Sequence, residues 1–220
     1  MLLRSFTMTS TKVQKDKIIL LLIDPQNDFH EGGSLEVPGS HEDSKHIAKM
    51  IMDNIHEIKE IYVTLDTHHV NHIGHAAFWW KDHEKKTEPV EFEEIRHEDV
   101  VAKRFTPKDQ SLMDHVLHYS QQLENKGNFT MRIWPEHCLI GTSGHAVVEC
   151  LNEALQKWYD DSSYCFLSYI LSSHPFIKLT LSHHPPTLAR SETHMKIIEY
   201  IHKGENCLTE MYSAIEAEVQ

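Results

Sequence analysis

The 220 residues carry 21 lysines and arginines against 33 aspartates and glutamates, a net charge of −12 with histidine neutral. That balance excludes a protein that grips nucleic acid or an anionic membrane through a basic face. A hydrophobic content of 40% excludes wholesale disorder, and the length suits one α/β domain, or one plus a short extension. Cys138, Cys150, Cys165 and Cys207 are irregularly spaced with no C-x-x-C pair, which reads as reduced thiols in a reducing compartment. A cytoplasmic setting is therefore expected. Histidine is in excess, with 19 copies, and its roles have to be argued position by position.

No apolar run approaches the roughly 20 residues that a membrane span requires. Residues 1–16 lack the apolar stretch of a secretory signal and read as a flexible N-terminus, with a transit peptide as the alternative. Residues 17–24 (KIILLLID) form a continuous apolar run closed by an acid, the pattern of a strand buried on both faces. Residues 25–39 hold Pro25, Gly32, Gly33, Pro38 and Gly39 and predict a loop. Apolar side chains at helical spacing predict an amphipathic helix over 44–58, and 61–66 (IYVTLD) predicts a second buried strand. Strand, helix and strand in that order make a βαβ unit, hence a parallel sheet with a right-handed crossover. Function in such sheets lies beyond the carboxyl ends of the strands, where Asp24 and Asp66 fall.

Residues 67–133 are a long, His- and charge-rich connection with some helix over 111–124, long enough to suggest that it builds a site. A clear amphipathic helix is predicted over 146–158, a third strand over 196–202, and a short helix from Thr209. Residues 160–190 show neither clean helical period nor alternation and contain Pro185-Pro186, so they read as an atypical insert within a domain spanning 17–220.

Several side chains invite chemistry. Asp66 and His68 are two positions apart, so at an extended strand end both can reach one cation, with His137 as a third donor from another loop. Two imidazoles and a carboxylate leave positions open for water or substrate. The competing reading is a solvated loop that is merely rich in histidine, including His69, His72, His75 and His83. Asp24 is a general base or the cap of the following turn. Lys203 steers charge near buried carboxylates or sits on the surface. Phe29 and Trp134 stack a flat ring or fill core. Gly141-Thr142-Ser143-Gly144 lacks the Lys-Ser/Thr ending of a phosphate loop and is set aside.

Taken together, these runs are more specific. Asp24-Pro25-Gln26-Asn27-Asp28-Phe29 follows strand one, and Asp66-x-His68 with His72 follows strand two. Trp134-Pro135-x-His137-Cys138 precedes Gly141-Thr142-x-Gly144, and Lys203-Gly204 precedes Tyr212-Ser213-Ala214. In order and spacing the set resembles the nicotinamidase branch of the isochorismatase-like cysteine hydrolases, from Lys17 to about Ala214.

The resemblance implies a three-layer α/β/α fold with a parallel sheet. It also implies an aspartate–lysine–cysteine triad. In that triad Asp24 would deprotonate the thiol and pass the proton to leaving ammonia, while Lys203 would favour the thiolate. Asp66, His68 and His137 match the metal ligands, with zinc the first choice and iron or manganese the alternatives. The ion would position the substrate's ring nitrogen, Phe29 and Trp134 would line the ring slot, and His72 would line the pocket. The expected partner is a small amide, with no nucleic acid or membrane partner, and with a homo-oligomer left open.

The departure concerns the nucleophile. The family's cysteine stands well beyond the lysine, on a later strand, and none of Cys138, Cys150, Cys165 or Cys207 holds that place before the sequence stops at Gln220. The expectation is a truncated domain, lacking C-terminal strands and inactive as this chain. The alternative is a non-catalytic, metal-binding or subunit-interaction remnant. Action on the vinyl ether of isochorismate is disfavoured, because that branch generally lacks the metal set seen in Asp66, His68 and His137.

Overall fold

A computed structural model describes residues 18–82, 84–125, 130–173, 196–215 and 217–219, with the backbone alone for 162–173. Strand β1 (Ile18–Ile23) is the first apolar run, and β2 (Ile58–Asp66) lies beside it in parallel, pairing Leu20 with Ile61 and Leu22 with Val63. Strand β7 (Ile198–Lys203) joins the other edge of β2, again in parallel, pairing Ile61 with Ile198 and Asp66 with Lys203. The order β1-β2-β7 puts β2 at the centre, which is why Ile61 and Val63 are fully buried. The protein is thus α/β with a parallel sheet. The β2–β7 register sets an acid and a base side by side at the carboxyl edge.

Helix α1 (Ser40–Asp53) and the long helix α4 (Glu149–Ser173) pack on each other and on one face of this sheet. Ile51 of α1 and Leu151, Leu155 and Trp158 of α4 meet Leu22, Ile61, Val63 and Leu65 in one core. Each large side chain so buried contributes roughly 1.5–3 kcal/mol by removal from water. On the opposite face Ile19, Leu21 and Ile23 are 59%, 54% and 71% exposed. Among the described residues, the helices packed on the sheet cover the first face.

Helix α1 begins four positions before the predicted start. Gly39 supplies the left-handed turn (φ +88°), and Glu42 and Asp43 in the first turn suit the positive end of the helix dipole. It ends at Asp53, where the Asn54 side chain bonds back to the Met50 carbonyl, and Ile58 is already in strand. Helix α4 runs past the predicted end at 158 into the stretch assigned to the insert, whose remaining residues 174–190 lie outside the described residues. The expected flexible N-terminus lies outside them too.

The long connection has a core of its own. Strand β3 (Trp79–Trp80) pairs with β5 (Thr106–Pro107), β4 (Glu94–Ile95) pairs with β6 (Met131–Arg132), and α2 (His97–Val101) packs on α3 (Met113–Asn125). Ile73, Trp79, Ile95, Val116, Tyr119 and Ile133 are buried together there. No helix forms from Thr209 among the described residues: backbone groups that a helix would pair internally are bonded elsewhere. The Glu210 amide donates to the Tyr119 hydroxyl, and the Glu210 carbonyl accepts from the Glu218 amide. No helix among the described residues is long and apolar enough to cross a membrane.

Candidate metal centre

The carboxyl ends of β1, β2 and β7 bring three charged side chains into contact. Lys203 Nζ lies 3.0 Å from Asp24 Oδ2 and 3.1 Å from Asp66 Oδ1, and Lys203 is 4% exposed. Asp24 sits at positive φ (+47°), and its Oδ1 accepts from the Thr64 hydroxyl at 2.6 Å. That conformation is unusual for a non-glycine residue and turns the chain out of the sheet as the strand ends. Gln26, fully buried, clamps the same corner: its side-chain amide donates to the Asp66 carbonyl and its oxygen accepts from the Asp66 amide, both at 2.7 Å.

Asp66 also faces two imidazoles. Its Oδ1 is 3.1 Å from His68 Nε2 and its Oδ2 is 3.3 Å from His137 Nε2. One donor atom from each of Asp66, His68 and His137 falls within 4.8 Å of the others, and all three residues are buried. The far nitrogens settle the tautomers. His68 Nδ1 donates to the Gly204 carbonyl at 3.1 Å, and His137 Nδ1 donates to the Pro135 carbonyl at 2.7 Å. A carbonyl can only accept, so in each neutral ring the proton is on Nδ1 and the lone pair on Nε2 points to Asp66. Carbonyl-anchored imidazoles around a carboxylate are the way proteins present nitrogen donors to a cation.

The charge balance points the same way. With neutral imidazoles, Lys203 offsets one of the two carboxylates, buried Asp66 and half-buried Asp24, and leaves a net negative site, which a divalent cation would neutralise. Burial pushes the Asp66 carboxyl up; when no ion is bound and Nε2 of each ring carries a proton, hydrogen bonds from His137 and His68 and the charges of His68 and Lys203 outweigh it and hold it well below the usual range. Burial pulls Lys203 down, and Asp66 and Asp24 more than restore it, so the ammonium stays charged. The donor set fits a zinc-class ion, which accepts imidazole and carboxylate together.

The remaining sequence candidates surround this cluster. Phe29 meets the His137 ring edge-on at 5.6 Å. Trp134 donates to the Tyr212 hydroxyl at 3.4 Å, and the two rings meet edge-on. His72 lies with its ring 4.4 Å from that of His68, and both of its nitrogens are taken: Nδ1 accepts from the Gly74 amide and Nε2 donates to the Thr209 carbonyl. Burial first, then the neighbouring His68 and His75, pull it down to about 3, so it stays neutral.

Sequence reasoning misses other members. Gln26 falls within a motif that gives it no role of its own. Gly204, at φ +84°, passes so close that a Cβ would lie 2.5 Å from His68 Cε1, which only a glycine allows. Glu210 is 4% exposed with Oε1 unpartnered among the described residues, and a Cβ on Gly74 would lie 2.1 Å from that oxygen. The signal for Gly204 is the Lys-Gly pair itself. For Glu210 there is none.

No family model and no curated protein matches the chain. Among solved structures it is similar to the yeast nicotinamidase bound to the inhibitor nicotinaldehyde, at 22% identity and TM-score 0.45, over 90% of this chain and 62% of that one. It is also similar to the nicotinamidase/pyrazinamidase of Acinetobacter baumanii, at 20% identity and TM-score 0.46, over 93% of this chain and 60% of that one. A third is the pyrazinamidase of Pyrococcus horikoshii in complex with zinc, at 17% identity and TM-score 0.39, over 90% and 57%. The chain thus spans less than two thirds of the length of these structures.

Proposed function

We propose that the protein is a nicotinamidase-like, metal-assisted amidohydrolase, converting nicotinamide or a similar small amide to acid plus ammonia in the cytoplasm. The observation that carries this reading is the shared use of Asp66. One carboxylate joins the Asp24–Lys203 ion pair to a two-histidine cation site, so proton-transfer and metal-binding groups are built as one unit. Asp66, His68 and His137 would hold the ion, zinc first and iron or manganese otherwise. When bound, it supplies a positive charge and an anchor for a ring nitrogen.

Asp24 accepts two hydrogen bonds, from Thr64 and Lys203, and a carboxylate has room for more. Given a thiol nucleophile, it can take the thiol proton as sulfur bonds to the carbonyl carbon and deliver it to the departing nitrogen as the C–N bond breaks and ammonia leaves, after which water cleaves the thioester to the acid. Lys203 beside it favours the thiolate over the thiol. Phe29, edge-on to His137, and Trp134, whose backbone bridges to His75, supply flat surfaces for an aromatic ring. A homo-oligomer is compatible with this reading.

A second reading is metal binding without turnover, and the cysteines favour it. Cys138 is fully buried, and its thiol is pushed up by burial and by Asp66, Asp28 and Asp24. Cys207 is half-buried with its thiol pushed up by burial, and it donates to Asn71 Oδ1 and to the Glu205 carbonyl. Among the described residues, neither thiol is hydrogen-bonded to Asp24 or Lys203.

Ammonia release from nicotinamide by zinc-loaded protein separates the two readings. Release that Asp24→Ala abolishes supports the hydrolase. No release, with zinc retained by the wild type and lost in His68→Ala, supports the binding protein.

A further inference from the structure

We propose that the aromatic slot runs on from Trp134 to Phe92, and that Phe92 selects amides whose ring carries an apolar, aromatic substituent. This rests on the nicotinamidase-like reading of the site and names a substrate class for it. The backbone places Phe92 at a cost. Its φ of +64° lies in the left-handed region, which a side chain of this size rarely adopts. The ring is 52% exposed, so its burial offsets little of that strain. A strained backbone that leaves an aromatic ring half in water directs attention to what the ring faces.

It faces Trp134. The two ring planes stand at 87° with centroids 6.2 Å apart. Tyr212 meets the same indole at 86° and 6.4 Å, and its hydroxyl accepts from the indole N–H. Trp134 is thus flanked by two rings, each perpendicular to it. Its chain is also tied to the histidine cluster. The Pro135 carbonyl, next along, accepts from His137 Nδ1 at 2.7 Å, and Trp134 itself bridges to His75. An aromatic amide held at that cluster would have Trp134 beside it and Phe92 beyond, toward solvent.

The outer end of this wall offers carbon. Arg132 lies 5.8 Å from the Trp134 ring, but its Nη2 already donates to Glu94 Oε1 at 2.6 Å. The Phe92 amide donates to the Ile133 carbonyl at 2.5 Å, and the Ile133 amide donates to the Glu93 carbonyl at 2.9 Å. This pair of bonds fixes Phe92 against the residue that precedes Trp134, so the ring is positioned before any ligand arrives. The Val90 carbonyl accepts from the Glu93 amide and closes the turn, and the Val90 side chain is 65% exposed. With the polar groups committed, the substituent that fits is apolar, and a ring fits best because it can meet Phe92 edge-on.

The test titrates the zinc-loaded full chain calorimetrically with two probes. One is nicotinamide; the other is nicotinamide with a phenyl group meta to both the ring nitrogen and the carboxamide. The wild type is expected to bind the phenyl compound about 10-fold more tightly, the worth of one added aromatic contact. Phe92→Gly removes the ring and suits the left-handed φ, so the variant should fold, and the preference should disappear. Phe92→Tyr keeps a ring and should keep the preference. Nicotinamide binding without a preference for the phenyl compound, or a preference that survives Phe92→Gly, would overturn the role of Phe92 and leave the site standing. Binding of neither compound by the wild type would overturn the nicotinamidase-like reading, and the extended slot with it.

Discussion

Lys203 is the residue on which the acid cluster depends. It is nearly inaccessible and touches two carboxylates, so replacing it with methionine leaves the buried Asp66 carboxylate facing that of half-buried Asp24 with no cation between them. Breaking a buried pair from one side costs about 3–5 kcal/mol. Metal-free Lys203→Met should therefore lose about that much unfolding free energy in urea titrations, and saturating zinc should restore part of the loss. A midpoint unchanged from wild type would mean that the cluster is hydrated. Glu210 makes a second prediction with a definite sign. Burial first, then repulsion from Asp66, push its carboxyl up from 4.5 to about 8. In the unfolded chain the group ionises near its ordinary value, so between about pH 4.5 and 8 the folded state holds the extra proton. Its contribution is thus fully present below pH 4.5 and is lost as pH rises through 8. Glu210→Gln should flatten the fall in stability across that window and exceed wild type at pH 8.5, as read by urea midpoints against pH.

The helices and strands show where the sequence spoke clearly. Central strand β2 has Ile61 and Val63 fully buried between α1, α4 and its neighbours, so Ile61→Ala should cost about 2–5 kcal/mol in urea unfolding. A loss under 1 kcal/mol would show that the sheet is not packed as described. That strand, its apolar partner β1 and their joining helix are legible because continuous apolar runs and helical spacing are local signals. The pairing that makes the site is not local. Asp66 meets Lys203 across 137 positions through the β2–β7 register, and that register is decided by strand order rather than by any motif. The Lys-Gly pair is visible in the sequence, but Gly204's closeness to His68 arises only once β7 lies beside β2. The tautomers of His68, His72, His75 and His137 depend on which carbonyls the loops bring up, which no spacing encodes. Helix α4 outruns its predicted end because residues 160–190 show neither clean helical period nor alternation. In the structure Asp161 lies 3.0 Å from Lys196, the residue that leads into β7, so the acid ties the helix to the sheet instead of ending it.

At the scale of the whole molecule the sheet is asymmetric. Parallel strands are ordinarily covered on both faces, and here one face carries the core while Ile19, Leu21 and Ile23 of the edge strand β1 are more than half exposed. Edge strands with apolar faces pair and stack with other chains unless charge or bulk prevents it. The net charge of −12 slows that encounter at low salt, and screening removes the protection as ionic strength rises. Light scattering should therefore increase with both protein concentration and salt. Leu21→Lys and Ile23→Lys place a like set of charges on the face and should suppress the increase. Because both side chains are mostly in water already, neither change should move the unfolding midpoint by more than about 0.5 kcal/mol. A loss of 2 kcal/mol or more in either variant would mean that the face is covered within a single chain. Equal scattering in wild type and variants would mean that association, where it occurs, uses another surface.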